Sequence, residues 1–214
     1  MRVQAYHGLS SRITSLYWFN LSLKSLLKFP DLIQPITDVG REVRMLEDFY
    51  LEGDATHYQR LTREGKLDWD LSVVAGPRGA VLFALGLAYR PDPEAKVFQF
   101  IPPREVTLTF PLPAYLRQPA ELVRVDANRV EAASFTKSAG GIQITSRCGA
   151  VNVWVMSPHA GMAEQLKARR KQFLAFEESF RFNPVANAAD LEQLRQLQPP
   201  TKPATSGQAG GLKK

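Results

Sequence analysis

The sequence predicts a mainly β protein with flanking helices: an antiparallel β-sandwich of about eight strands over residues 54–158, one partial α/β unit before it and a C-terminal helix after it. Three observations carry this prediction. The apolar period is that of a helix up to residue 53 and again after 159, but changes to two in between. Turn residues punctuate the middle region at near-regular spacing. Within it, Ala80 to Tyr89 is almost continuously apolar and reads as a central strand covered on both faces.

Residues 1–53 form the first region. Met1 to Ser10 fits the tail of a helix, Ile13-Thr14-Ser15-Leu16-Tyr17-Trp18-Phe19-Asn20 reads as a buried strand, and Ser22 to Lys28 as a helical turn broken by Phe29-Pro30. Ile33, Ile36, Val39, Val43 and Leu46 recur at steps of three and four, which predicts an amphipathic helix over 31–51. Pro35 fits its first turn, where a missing N–H is harmless. Gly53 stands where helices commonly stop in the left-handed conformation. Helix, short apolar strand and helix make an α/β unit with a parallel strand. One such strand cannot bury both its faces alone, so this region is expected to be the end of something larger.

In the second region Val106, Leu108 and Phe110 alternate with Thr107 and Thr109, Ile142 and Ile144 with Gln143 and Thr145, and Val151, Val153 and Val155 with Asn152 and Trp154. These are half-buried strands. Gly76-Pro77-Arg78-Gly79, Pro91-Asp92-Pro93, Pro102-Pro103, Pro111-Leu112-Pro113, Asp126-Ala127-Asn128 and Gly140-Gly141 supply the turns. After Ser157-Pro158, the residues Met162, Leu166, Phe173, Phe176 and Phe180 share a face, predicting a docked helix over 160–181. Asn187 caps a shorter helix carrying Leu191, Leu194 and Leu197, and residues 199–214, rich in Pro, Gly, Ser and Thr, read as a disordered tail.

Composition narrows the function classes. The net charge of +6 points toward nucleic acid only until it is located: Lys202, Lys213 and Lys214 lie on the tail, which holds no acid. Arg41, Glu42, Arg44, Glu47 and Asp48 alternate in sign as on a solvated helix face. Arg169-Arg170-Lys171 shares its predicted helix with Glu164, Glu177 and Glu178. A nucleic-acid surface needs a wider basic stripe, so no nucleic-acid partner is expected. No run of about 18 apolar residues appears, so no membrane partner is expected either. A single cysteine, Cys148, excludes an internal disulfide framework and a thiolate metal cluster. One cysteine and no leader make the cytoplasm the expected compartment. His7, His57 and His159 lack metal-ligand spacing, and Gly76-Pro77-Arg78-Gly79 lacks the Lys and the following helix of a phosphate loop. No cofactor and no metal are therefore expected.

The stretch Tyr6-His7-Gly8-Leu9 followed by Arg12-Ile13-Thr14-Ser15-Leu16-Tyr17-Trp18-Phe19-Asn20 resembles the last helix-to-strand step of a glycoside-hydrolase-type (β/α)₈ barrel. The resemblance covers 1–53 by motif and 54–157 by architecture, where it is to the C-terminal β-sandwich accessory domain of such enzymes. It implies that the 31–51 helix closes a barrel and that a terminal-strand Trp floors a sugar site. Seven barrel strands and the usual pair of catalytic carboxylates are missing, and no acid ends the 13–20 strand, so no catalytic residue is assigned.

Barrel strands present their C-terminal residues to the active site, and an indole platform beside an amide suits the apolar face and hydroxyls of a sugar. Trp18 and Asn20 are accordingly the candidate substrate-binding residues. Asp68 and Asp70 flank Trp69 and are expected to point together on one strand face, open to a cation or sugar hydroxyls. Trp154 and Asn152 share a face that would be either packed or sugar-binding. Two readings result. In one the chain is the non-catalytic C-terminal portion of a carbohydrate-active protein, its partners a carbohydrate and the missing barrel portion or a second chain. In the other it is a stand-alone β-sandwich binding or scaffold protein, with its N-terminal helices wrapped on the sandwich.

Overall fold

The computed structural model describes residues 1–13, 15, 16, 32–95, 97–179, 192 and 196. The 22–28 turn and the tail 199–214 lie outside them, and of the helix capped by Asn187 only Glu192 and Gln196 are described, both helical. The chain divides into two units, and every helix and strand named below belongs to the one made of residues 1–18 and 31–181. Three helices, α1 (Arg2–Leu9), α2 (Ile33–Glu52) and α3 (Met162–Ser179), accompany the strands β1 (Asp54–Arg63), β2 (Lys66–Gly76), β3 (Gly79–Gly86), β4 (Tyr89–Asp92), β5 (Val97–Phe100), β6 (Arg104–Pro111), β7 (Glu121–Val125), β8 (Val130–Ala132), β9 (Thr136–Ser138), β10 (Gly141–Cys148) and β11 (Val151–Ser157).

All pairings among the described strands are antiparallel. A six-stranded sheet runs β1-β2-β3-β11-β7-β8, a three-stranded sheet runs β6-β10-β9, and the hairpin β4-β5 pairs with neither. The large sheet is the middle of three layers. On one face Val74, Val81, Phe83, Leu85, Val123, Val153 and Val155 pack with Tyr6 and Leu9 of α1, Met45, Leu46, Phe49 and Tyr50 of α2, and Leu166 of α3. On the other, Leu71, Val73, Leu82, Ala84, Trp154 and Met156 pack with Leu108, Phe110, Ile142 and Ile144 of the small sheet. The continuous apolar run therefore has the expected cause: Val81, Phe83 and Leu85 serve one core while Ala80, Leu82 and Ala84 serve the other.

That run is shorter than the sequence suggests. β3 ends at Gly86, and Tyr89 belongs to the separate hairpin. The N-terminal region also differs. Ile13, Ser15 and Leu16 lie in no strand, with Ile13 and Leu16 packed against the helix-side core, and the rest of the 13–20 segment except those three lies outside the described residues. The described helices α1 and α2 share one core with the sheet, so no packing boundary falls at residue 53. Pro35 occupies the first turn of α2 as its ring geometry requires. Gly53, by contrast, is extended rather than left-handed. Its requirement is space: a Cβ there would stand 2.5 Å from the Phe49 carbonyl oxygen and 2.9 Å from Val74 Cγ1.

Charged side chains lock the helices onto the sheet. The β7–β8 turn is gripped at Ala127, whose N–H donates to Glu42 (2.8 Å) and whose carbonyl accepts from Arg41 and Arg170 (3.0 Å each). Glu42 also accepts from Arg2 and from the Tyr6 hydroxyl. Arg169 donates to the Met45 carbonyl and to Asp48. The alternating charges of α2 and the basic triplet of α3 thus include fasteners between layers rather than only a solvated face. Glu121 caps α3, accepting from the N–H groups of Met162 (2.7 Å) and Ala163 (3.0 Å).

Candidate functional site

Trp18 and Asn20, the substrate-binding candidates, lie outside the described residues. The second sequence candidate separates. Asp68 pairs with Arg104 of the small sheet, while Asp70, nearly fully buried, accepts from Arg60 (2.9 Å) and Tyr58 (3.0 Å) and lies 3.7 Å from His7 of α1. Their partners sit in different layers, so the two carboxylates do not form one acidic face. The third candidate is packing: Trp154 is buried edge-to-face on Phe110, and Asn152 bonds the Ala84 carbonyl and both backbone groups of Gly149.

The remaining reactive residue types are also accounted for. Cys148 is buried, and burial pushes its thiol up to about 11, which keeps it protonated and unreactive near neutrality. His159 closes a turn in which its N–H donates to the Ser157 hydroxyl. Among the described residues, no three His, Cys, Asp or Glu side chains form a group that could hold a metal ion. No described helix is long and apolar enough to cross a membrane.

The surface that sequence reasoning missed is the β4–β5 hairpin. Its register pairs Tyr89 with Phe100, Arg90 with Gln99, Pro91 with Phe98 and Asp92 with Val97. Alternation therefore gives it two chemically distinct faces. Tyr89, Pro91, Phe98 and Phe100 form an aromatic face, with the Tyr89 ring 5.4 Å from both phenyl rings, edge-on to Phe98 and tilted on Phe100. Arg90, Asp92 and Gln99 form a polar face, in which Arg90 donates to Gln99 Oε1 (3.0 and 2.9 Å) and Gln99 donates to Asp92 (2.5 Å). Asp92 also ties the loop by accepting from the N–H groups of Glu94 and Ala95.

The aromatic face is open. Tyr89 is 52% and Phe98 61% exposed, and Leu67, Val97 and Ile101 beside them are also exposed. A two-stranded hairpin has little stability of its own in water, so three clustered rings here are costly unless something covers them. A shallow depression adjoins the hairpin, lined by Leu67, Tyr89, Phe100 and Ile101 together with Lys66, Arg90 and Gln99. Aromatic planes beside amide and cationic donors suit a ligand with an apolar face and a rim of hydroxyls. The signal was present in the alternation of Val97-Phe98-Gln99-Phe100 after the Pro91-Asp92-Pro93 turn. What hid it was the apolar run that carries Tyr89 into the preceding strand.

No protein-family model matches this chain, and neither a curated protein nor a solved structure matches it.

Proposed function

We propose that this chain is the non-catalytic C-terminal portion of a glycoside-hydrolase-like protein, with a sugar-binding role exercised by the β4–β5 hairpin. The observation that carries this reading is the aromatic face of Tyr89, Phe98 and half-buried Phe100, with Tyr89 and Phe98 exposed, on a hairpin that belongs to neither sheet. The β-sandwich architecture supports the same class, as does the resemblance of residues 1–53 to a terminal barrel step, which rests on sequence alone, since Ile13, Ser15 and Leu16 lie in no strand. The disposition of the acids agrees with a non-catalytic role: Glu42, Asp48, Asp68, Asp70 and Glu121 are committed to arginines or to helix N–H groups. Cleavage of a glycosidic bond needs one carboxyl to protonate the leaving oxygen and another to act as base or nucleophile across the bond.

The stand-alone binding or scaffold reading has one observation in its favour, the sharing of a single core by α1, α2 and the large sheet. Co-sedimentation with insoluble polysaccharides separates the two. The proposal expects retention of the purified chain on at least one of cellulose, xylan, mannan or chitin, and loss of that retention in Tyr89→Ala/Phe98→Ala with unchanged melting temperature. It also expects no hydrolysis of aryl glycosides above background. No retention on any of the four would favour the scaffold reading, and turnover abolished by mutating one of the chain's own carboxylates would overturn the non-catalytic assignment.

A further inference from the structure

The aromatic hairpin is linked through shared lining residues to a depression that carries four arginines. Phe100, Ile101 and Pro102 line both the hairpin depression and a narrow crevice, also lined by Arg104, that leaves only about 20 Å³ for water. Gly149 and Ala150, in the β10–β11 turn, line that crevice and also a second, open depression. Four arginines reach this second depression, Arg2, Arg124, Arg129 and Arg147, against one carboxylate, Asp126.

Two of these arginines are already neutralised: Arg2 pairs with Glu42 and Arg129 with Asp126, at 3.0 Å each. The other two are not. Arg124 is half-buried, with its guanidinium carbon 6.0 Å from the Trp154 ring centroid, and among the described residues it donates to neutral acceptors alone, Ser146 Oγ (3.1 Å) and Asn152 Oδ1 (3.4 Å). Arg147 is exposed and has no ion-pair partner among the described residues. Glu131 and Glu105 stand opposite Arg124 and Arg147 in register, yet neither closes to an ion pair. The hydroxyl, the amide oxygen and the indole face replace part of the hydration this guanidinium loses but none of them neutralises its charge, and its planar fork matches the two oxygens of a carboxylate or sulfate.

We propose that the Arg124–Arg147 depression receives the acidic groups of an anionic polysaccharide whose neutral sugar faces rest on the hairpin aromatics. This rests on the sugar-binding reading above and narrows its ligand to glycans bearing uronate carboxylates or sulfate esters. The flanking carboxylates Glu105, Asp126 and Glu131 break the basic surface into a local patch, which suits spaced anionic groups better than a continuous phosphate backbone.

Titration calorimetry of the whole chain tests this with four probes: a hexagalacturonate, a sulfated galactan oligosaccharide, neutral xylohexaose and single-stranded DNA. The expected result is at least about tenfold tighter binding of an acidic than of the neutral oligosaccharide at low salt, with that advantage shrinking as ionic strength rises. Whichever acidic probe binds more tightly identifies the anionic group. Arg147→Glu, at an exposed position, should lose the advantage while keeping any affinity for xylohexaose, and Arg124→Gln should do the same. Equal affinity for acidic and neutral probes, or an advantage that survives both substitutions, overturns this inference and leaves the sugar-binding reading standing. DNA binding tighter than either acidic glycan overturns it as well. Failure of every oligosaccharide to bind overturns both.

Discussion

Glu42 in the middle of α2 accepts a 2.8 Å hydrogen bond from the backbone N–H of Ala127, 85 residues away in the β7–β8 turn. The carboxylate is 1% exposed and also holds Arg2 and the buried Tyr6 hydroxyl. One acidic side chain thus joins α1, α2 and the far edge of the large sheet. Because α2 presents Met45, Leu46 and Phe49 to the core on the same helix, the polar contact fixes the rotation at which that apolar stripe is delivered.

Removing this group leaves a buried hydroxyl, a buried N–H and a partly buried guanidinium without their acceptor. Glu42→Ala should therefore destabilise the fold by about 3 kcal/mol, toward the lower end of values for broken buried pairs because Arg2 retains access to water. Glu42→Gln, which keeps an acceptor for Ala127, should cost less. Chemical denaturation of the two variants checks the order. Equal, small losses would mean that the turn docks through Arg41 and Arg170 alone.

Phe83 sits at the centre of the helix-side core, fully buried, with Tyr6 and Tyr50 rings 6.2 and 6.3 Å away. Phe83→Ala should cost about 3–5 kcal/mol through lost transfer energy and the cavity left behind. The same experiment reports on α1 and α2, since both contribute rings to this cluster. Amide exchange in α2 should accelerate together with that in β3 if the two are one cooperative unit. Acceleration confined to the strands would contradict the shared core.

Three buried groups make stability sensitive to alkali. Burial raises the Cys148 thiol to about 11 and the hydroxyls of Tyr6 and Tyr50 well above their ordinary value, with the Glu42 charge adding to the last two. The folded chain therefore keeps protons that the unfolded chain releases. Their contribution is fully present below the ordinary thiol and phenol values, near 9 and 10, and is lost as pH rises above them. Urea midpoints should hardly change because of these groups between about pH 7 and 8, and should fall clearly by about pH 10.5. A midpoint unchanged at the higher pH would show that these groups titrate as freely folded as unfolded.

What could be read from the sequence was periodicity; what could not was who covers whom. The run from Ala80 to Tyr89 announced a strand buried on both faces because it is almost continuously apolar, and the two cores confirm it as far as Leu85. Alternation at Leu108, Phe110, Ile142 and Ile144 likewise placed the small sheet's inner face. Parity alone put Asp68 and Asp70 together, but each answers to an arginine elsewhere, Arg104 and Arg60, and no local pattern reveals those partners. Gly53 illustrates the same limit, since its need for space arises from Phe49 and Val74, which local spacing does not bring together. Tyr89 was absorbed into the preceding apolar run because burial and exposure of an aromatic look alike in one dimension. Arg124 and Arg147 come from strands of different sheets, β7 and β10, and line one depression only in the folded chain.

The sugar-binding claim is tested most directly by amide exchange across residues 89–100, measured with and without the polysaccharide that retains the chain most strongly. The account predicts slower exchange in β4 and β5 on addition of that polysaccharide, with β1 and β8 at the two edges of the large sheet unchanged. Retention with no added protection in 89–100 would place the ligand elsewhere and contradict the assignment of the aromatic hairpin as its platform.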